Sequence, residues 1–455
     1  MKKYFFCGIG GSGMSSLALA LKNRGDDISG SDRAYDAGNA AEKFETLKNQ
    51  GFKLFAQDGS GVTADTDALV VSSAVEETIP DVVKARELGL PIVTRAQLLA
   101  EFFNARNGIA VGGTSGKTTT TGMLGHILRQ SGVDPTVING GVMLNYPDSL
   151  GTGSVLAGKS SFCVIEADES DGSIELYKPA VSIVTSITLD HKPLEELRVL
   201  FGDFAARATV GAVLNADNAD CLALKDKNPT VLTFSTEGNS ADLRAVDITP
   251  VENGTEFELD GQKVFLPVIG RHNVANALAA VAAAELIGVT QSQSIEALAT
   301  FKGIHRRLET VGMTKKGVTV IDDFGHNPEK IAASLSALKE YAGRLIVIYQ
   351  PHGFKPTKMM HAGIVEAFDK HLSMDDTLIM QEIYYAGGTA AKDISSADLV
   401  RDLEKTGKRV HFIPDRKKIV SLVKALAAKG DRIVIMGARD ETLSDFAKTI
   451  LDSIG

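Results

Sequence analysis

Short apolar, β-branched runs alternate with amphipathic stretches along most of the chain, a pattern that predicts parallel α/β units. The first unit reads as a strand over 4–8, a glycine-rich turn and a helix over 14–23, with further strands near 68–72 and 91–93. A second set opens with a strand over 108–111 and a helix running to residue 130. Strands follow at 162–166, 181–185 and 212–215, with a helical stretch near 195–208. The region 230–268 is strand-rich and carries the turn signal Asp260-Gly261, so a small antiparallel excursion is expected there. Helices are expected over 273–287 and 291–301. A third set places strands at 318–321, 344–349, 377–383, 410–413 and 432–436, with helices between. At 455 residues the chain exceeds what one core supports, and the pattern divides it into domains 1–105, 106–309 and 310–455.

Composition narrows the class. The chain is 44% hydrophobic and 23% charged, and no apolar run approaches the roughly 18 residues that span a bilayer, so no membrane partner is expected. The start, two lysines followed by apolar residues, briefly resembles a signal peptide. It runs into a glycine-rich loop without a cleavage pattern and reads as a first strand. Cys7, Cys163 and Cys221 fit no metal spacing and suit buried thiols of a reducing, cytoplasmic compartment. A net charge of −9 argues against nucleic acid as a partner.

The strongest chemical signal is Gly113-Thr114-Ser115-Gly116-Lys117-Thr118, followed by Thr119, between a strand and a helix. Glycines there let backbone N–H groups approach phosphate oxygens, and the helix N-terminus favours the anion. Lys117 would bridge the β- and γ-phosphates of ATP, and Thr118 would hold Mg²⁺. The alternative is a plain Gly/Thr-rich turn. Glu166-Ala167-Asp168-Glu169-Ser170-Asp171 then brings four carboxylates to a strand end. Alone that is a solvated loop; beside a phosphate loop it suits a hard cation. Asp190-His191 closes the next unit and offers a metal ligand or a surface turn.

Asn273 and Asn276, three apart at the start of the Ala-rich helix, share one face and suit an adenine edge, with N-capping by Asn273 as the alternative. Arg306-Arg307 at the domain junction suits phosphate. Asp322-Asp323-Phe324-Gly325-His326-Asn327 and Gln350-Pro351-His352-Gly353-Phe354-Lys355 each follow a strand, where α/β sheets bind ligands. The first loop, Gly8-Ile9-Gly10-Gly11-Ser12-Gly13-Met14, suits a nucleotide diphosphate.

Taken in order, Gly-x-Gly-Gly-x-Gly-Met, Gly-Thr-x-Gly-Lys-Thr-Thr, Glu-Ala-Asp-Glu-Ser-Asp, Asp-His, Gly-Arg-His-Asn, Arg-Arg and Asp-Asp-x-Gly-His resemble the Mur ligases over the whole chain. The resemblance implies an α/β fold of three domains: N-terminal Rossmann-like, a central P-loop ATPase-type parallel sheet, and C-terminal Rossmann-like. It implies an ATP- and Mg²⁺-dependent ligase of peptidoglycan precursor synthesis, acting as monomer or homodimer. The muramoyl carboxylate of UDP-N-acetylmuramate becomes an acyl phosphate, which an amino acid or short peptide then attacks. The branch that adds L-alanine is most similar, and the branch that recycles a murein tripeptide is next. The same resemblance assigns Lys117, His191 and His326 to catalysis, and Thr118, Glu166 and His191 to metal. Asn273 and Asn276 go to adenine, Arg307 to phosphate and Asp323 to ribose. Gly10, Gly11, Ser12, Gly13, Met14, Asp32 and Ser73 go to the UDP end, and His326 and Lys355 to the incoming amine.

Three departures stand out. Ser115 replaces the histidine of the alanine-adding branch. Lys192 is the only lysine in the short segment after His191. The branch pattern Gln-Pro-His-Arg-Tyr-x-Arg has Gly353 and Pro356 in place of its arginines, with Lys355 nearby, and Asn327 replaces a second histidine. That altered site motivates a rival reading, a nucleotide-binding protein without ligation. A nicotinamide oxidoreductase would rest on the first glycine loop alone.

Overall fold

Three sheets follow one another along the chain in a computed structural model, which describes residues 1–72, 75–146, 153–170, 172–189, 192–385 and 391–455. The first contains β1 (Lys3–Cys7), β2 (Asp27–Ser31), β3 (Lys53–Phe55), β4 (Ala68–Val71) and β5 (Ile92–Thr94) in the order β3-β2-β1-β4-β5. Every neighbour pair is parallel, which makes the β1/β4 border a switch point, and the glycine loop leaves β1 there.

The second sheet holds β6 (Asn107–Gly112), β7 (Thr136–Ile138), β8 (Val155–Leu156), β9 (Phe162–Glu166), β10 (Val181–Val184), β11 (Gly211–Asn215), β12 (Val231–Ser235), β13 (Leu243–Val251), β14 (Gly254–Leu259) and β15 (Gln262–Leu266). β6 lies between β10 and β9, parallel to both, so the loop Gly113–Gly116 emerges from mid-sheet. The antiparallel excursion is smaller than the sequence suggested. β12 pairs parallel with β11 and, briefly, with β13. Only β13 to β15 are joined by two-residue links, at 252–253 and 260–261, which permit antiparallel neighbours alone. Asp260 (φ +49°) and Gly261 (φ +79°) form the second link, both in the left-handed region such a tight turn requires.

The third sheet contains β16 (Glu309–Met313), β17 (Thr319–Asp323), β18 (Leu345–Tyr349), β19 (Thr377–Met380), β20 (Arg409–Phe412) and β21 (Arg432–Met436), ordered β16-β17-β21-β18-β19-β20. All pairs are parallel except β16–β17. Its central strands are buried on both faces, so Leu345–Tyr349 reads as an unbroken apolar run. Val347 and Tyr349 join one core while Ile346 and Ile348 join the other. The expected strand 377–383 stops at Met380, and the expected helix 291–301 stops at Leu298.

Packing groups the chain into two compact units: residues 1–247, 257–264 and 274–302, and residues 248–256, 265–273 and 303–455. The first sheet and strands β6 to β12 fall in one unit because a single apolar cluster runs through both sheets, from Tyr4 and Phe6 by way of Phe102 and Phe103 to Phe201 and Phe204, whereas β13 to β15 are divided between the units. Each such side chain contributes about 1.5–3 kcal/mol when fully buried. The ring of Phe103 lies over Gly108, where an added Cβ would stand 2.2 Å from it. The three cysteines are free and buried, and burial pushes the Cys7 and Cys163 thiols up to about 12. Among the described residues, no helix is long and apolar enough to cross a membrane.

Candidate active site

The chain leaves β6 through Gly113 (φ +126°) and enters the helix Lys117–Gln130 through Gly116 (φ +85°), both in the left-handed region. Neither glycine has room for a side chain. A Cβ at Gly113 would lie 2.2 Å from Thr185 Oγ1, and one at Gly116 would lie 2.5 Å from Asn276 Oδ1. The loop is preset by the segment after β10. Thr114 N donates to Ser186 O (3.0 Å), Ser115 N donates to Ser186 Oγ (3.0 Å), and the Thr114 and Thr188 hydroxyls lie 2.8 Å apart. Thr185 Oγ1 donates to Gly112 O and Ser115 O. Asn276 accepts from Thr120 Oγ1 (3.2 Å), which sets its amide against the loop. The N–H groups of Lys117, Thr118 and Thr119 have no intrahelical acceptor, the arrangement that binds phosphate.

Lys117 curls back over the loop. Its Nζ donates to Gly113 O (2.7 Å) and to Glu169 Oε2 (2.8 Å), using two of three ammonium donors. The Glu169 side chain is only 3% exposed, so the pair is shielded from water. The four-carboxylate run therefore divides its work. Glu169 meets Lys117, while Glu166 and Asp168 line a cavity of about 360 Å³ with Ser12, Gly13, Arg95 and Tyr177. Glu166 Oε1 accepts from Gly140 N (2.7 Å). Burial opposes ionisation of Asp168, but hydrogen bonds from Ser170 and the charges of Lys117 and Arg95 outweigh it and hold the carboxyl below its usual range. Asp171 lies outside the described residues, as do Asp190, His191 and Ser73.

At the first loop, Gly8 N and Ile9 N donate to Ser31 O at 2.8 and 3.0 Å. Asp32 staples this turn to the next helix. Its Oδ2 accepts from Gly10 N and its Oδ1 from Ala34 N, both at 2.8 Å. Gly11 precedes the helix Ser12–Asn23, and a Cβ on Gly13 would stand 3.2 Å from the Arg95 side chain. Met14 is 3% exposed and its side chain belongs to the core.

In the second unit, Asp323 ends β17 almost fully buried. Its Oδ1 accepts from Leu308 N (3.0 Å) and its Oδ2 from Gly325 N (2.9 Å) and Ser334 Oγ (2.7 Å). The tandem arginines diverge in role. Arg306 is buried against Asp322 and the carbonyls of Gly437 and Ala438, whereas Arg307 is half-buried 5.0 Å from the Phe324 ring centre. Beyond Phe324 the rings of His326 and His352 follow at 5.4 and 5.2 Å. His326 Nδ1 lies 2.9 Å from Phe324 O; a carbonyl only accepts, so Nδ1 carries the proton and Nε2 is left as an acceptor. Burial, aided by Lys330, His352 and Arg307 against a raising bond to Phe324, lowers its pKa to about 4. Lys355 is exposed in the first turn of the helix Phe354–His371. Asn327 caps the helix Pro328–Lys339 by accepting from Lys330 N (2.9 Å). Asn273 is the third residue of the helix Arg271–Leu286, not its cap, and donates to Ile269 O (2.8 Å).

Glu169 and Arg95 have no individual role in the sequence reading. Glu169 stood among four equivalent carboxylates, and strand alternation ends at Glu166. Arg95 follows a short strand far from any motif, and only folding carries it to Gly13 and Asp168.

A second histidine, His126, is buried in the helix Lys117–Gln130. Its Nε2 donates to Ala297 O (3.0 Å), its Nδ1 accepts from Tyr146 O–H (2.8 Å), and burial lowers its pKa to about 4. The unfolded chain protonates these histidines near 6.5, so between 6.5 and about 4 it binds more protons than the native one. Stability from this source is complete above pH 6.5 and falls as pH drops toward 4. A His126→Gln variant should show a shallower loss over that window in urea unfolding at stepped pH. An unchanged slope would assign the loss to other groups.

Three family models match in chain order: "Mur ligase family, catalytic domain" over residues 3–107, "Mur ligase middle domain" over 111–284, and "Mur ligase, glutamate ligase domain" over 306–439. A UDP-N-acetylmuramate–L-alanine ligase of a Geobacter species is 37% identical, covering 96% of this chain and 95% of the relative. That of Agrobacterium fabrum is 34% identical, covering 96% and 94%. Among solved structures, the UDP-N-acetylmuramate–alanine ligase of Thermotoga maritima superposes with a TM-score of 0.79 at 26% identity over 99% of both chains. A murein peptide ligase of Psychrobacter arcticus reaches 0.66 at 25% identity over 100% and 99%. With the ordered motifs, the parallel sheets and these relatives in agreement, the chain belongs to the Mur ligase family.

Proposed function

We propose that the protein is an ATP-dependent ligase that joins L-alanine to the carboxylate of UDP-N-acetylmuramate. The observation that carries this reading is the preset loop Gly113–Gly116 with Lys117 folded over it, in a chain whose relatives at 34–37% identity are alanine-adding ligases. Residues 1–105 would bind the UDP end, 106–309 ATP, and 310–455 the amine and the far side of ATP. The loop suits a nucleoside triphosphate because the helix-start N–H groups of Lys117, Thr118 and Thr119 and the Lys117 ammonium are the donors that phosphate oxygens need. Oxygens of Thr118 and Glu166, with Glu169 as a further carboxylate, suit Mg²⁺, and His191 would add a ring nitrogen as the resemblance implies. When bound, the ion would neutralise charge developing between the phosphates.

Lys117 would leave Glu169 or share it to meet the γ-phosphate as the muramoyl carboxylate attacks, giving the acyl phosphate and ADP. The amine then attacks the acyl carbon, and phosphate departs from the tetrahedral intermediate. His326, neutral at pH 7 with Nε2 open, is suited to accept a hydrogen bond or proton from that amine. Arg307 would meet phosphate and Asn273 and Asn276 adenine. A carboxylate has about four acceptor sites, so a ribose hydroxyl would be the fourth donor to Asp323. The first loop, with Arg95 lining the adjoining cavity, would seat the UDP-sugar. The experiment is ADP release with UDP-N-acetylmuramate and a panel of amino acids and murein peptides. L-Alanine should give the highest kcat/KM. A murein tripeptide giving more would move the protein to the recycling branch, and no stimulation by any acceptor would remove the ligase reading.

A further inference from the structure

The turn at 303–309 holds two non-glycine residues with left-handed backbone, Arg306 (φ +57°) and Leu308 (φ +49°). Such conformations are strained for residues with a Cβ and persist only where surroundings over-determine them. Here they do. Phe324 N donates to Arg306 O (2.7 Å), Leu308 N to Asp323 Oδ1 (3.0 Å), and Arg306 N to Glu309 Oε2 (2.9 Å). The Arg306 side chain closes the bracket from within. Its Nε donates to Asp322 (3.2 Å), and its two terminal nitrogens reach the carbonyls of Ala438 (3.2 Å) and Gly437 (2.6 Å).

Both guanidinium groups adjoin one ring, with Arg306 at 5.4 Å and Arg307 at 5.0 Å from the Phe324 centre. The inner arginine thus has each of its three guanidinium nitrogens engaged, while the outer one adjoins the same ring. His305, Glu309 and Asp322 would make a plausible cation site by residue type. Their atoms are instead committed to one another and to Arg306. Glu309 Oε2 takes His305 Nδ1 (2.6 Å), and Asp322 Oδ2 takes Ser444 Oγ (2.6 Å). The positive charge of this cluster is Arg306 itself.

We propose that Arg306 is a positioning residue: by locking the 306–308 turn and Phe324 to Asp322 and the 437–438 carbonyls, it presents Arg307 to the phosphates of bound ATP. This rests on the reading of Arg307 as a phosphate ligand. A lysine cannot replace Arg306, because one ammonium cannot serve a carboxylate and two carbonyls spread along a planar fork.

The test is a double-mutant cycle on the full chain, reading kcat/KM for ATP with UDP-N-acetylmuramate and L-alanine saturating. Arg307→Ala is expected to lower it about 10–100-fold, as loss of a charge-assisted contact does. Arg306→Lys should lower it at least about tenfold, and the double variant should be no worse than Arg307→Ala within about twofold, the signature of residues acting through one another. Effects that multiply would overturn the proposal. If Arg307→Ala alone leaves kcat/KM unchanged, the phosphate role of Arg307 fails first and the positioning role falls with it. Should Arg306→Lys not fold by circular dichroism, Phe324→Leu takes its place in the same cycle with the same two outcomes.

Discussion

Lys117→Ala is expected to lower ATP turnover by roughly 10²–10³-fold or more, the range seen when one preorganised charge-stabilising donor is removed. The geometry adds a second consequence. Lys117 is the partner of Glu169, whose side chain is 3% exposed, so truncation strands a shielded carboxylate beside a helix start. Breaking such a pair from one side costs about 3–5 kcal/mol when burial is complete, and less here because the Lys117 side chain is 17% exposed. The single variant should therefore be both inactive and less stable. Adding Glu169→Gln removes the stranded charge and should recover part of the urea midpoint without recovering turnover. The assay is ADP release beside far-ultraviolet circular dichroism, which suits a chain with no tryptophan. Activity within tenfold of the parent would mean that the phosphate loop is not where the chemistry occurs.

Asp323→Ala should produce the largest loss of stability in the second unit. One carboxylate satisfies Leu308 N, Gly325 N and Ser334 Oγ, and it is 4% exposed. Leaving a buried donor unsatisfied costs about 1–3 kcal/mol. Three donors, some of which rehydrate, should together cost about 3 kcal/mol or more. Asp323→Asn keeps one acceptor oxygen and should lose roughly half as much by the same reasoning. Urea unfolding followed by circular dichroism reads both, and a midpoint unchanged in Asp323→Ala would show that water replaces the carboxylate. Because Asp323 also anchors Leu308 beside Arg307, a folded Asp323→Asn should raise KM for ATP more than KM for L-alanine.

Much of this was legible in the chain because local rules suffice for it. Leu345–Tyr349 and 433–436 declare buried parallel strands by unbroken apolar runs, and the spacing of Gly113, Gly116, Lys117 and Thr118 declares a tight glycine turn between strand and helix. The parallel pairing of β12 was not legible, since Val231–Ser235 looks the same in either direction and the partner decides. Nor were the separate tasks of Arg306 and Arg307. Adjacent arginines are chemically equal, and the left-handed turn that sends one inward depends on carbonyls more than 130 residues away, at Gly437 and Ala438.

For the loop Gly113–Gly116, the sequence by itself determined its place between a strand and a helix and the lysine that follows it. Glycine, lysine and threonine at that spacing meet only local demands on backbone angle and charge. What Lys117 touches was decided by tertiary structure alone. The strand Phe162–Glu166 runs beside β6 and delivers Glu169 to the ammonium while turning Glu166 and Asp168 toward the cavity. Four carboxylates in one short run are interchangeable by type, and only the direction in which the folded backbone points each one assigns it a partner.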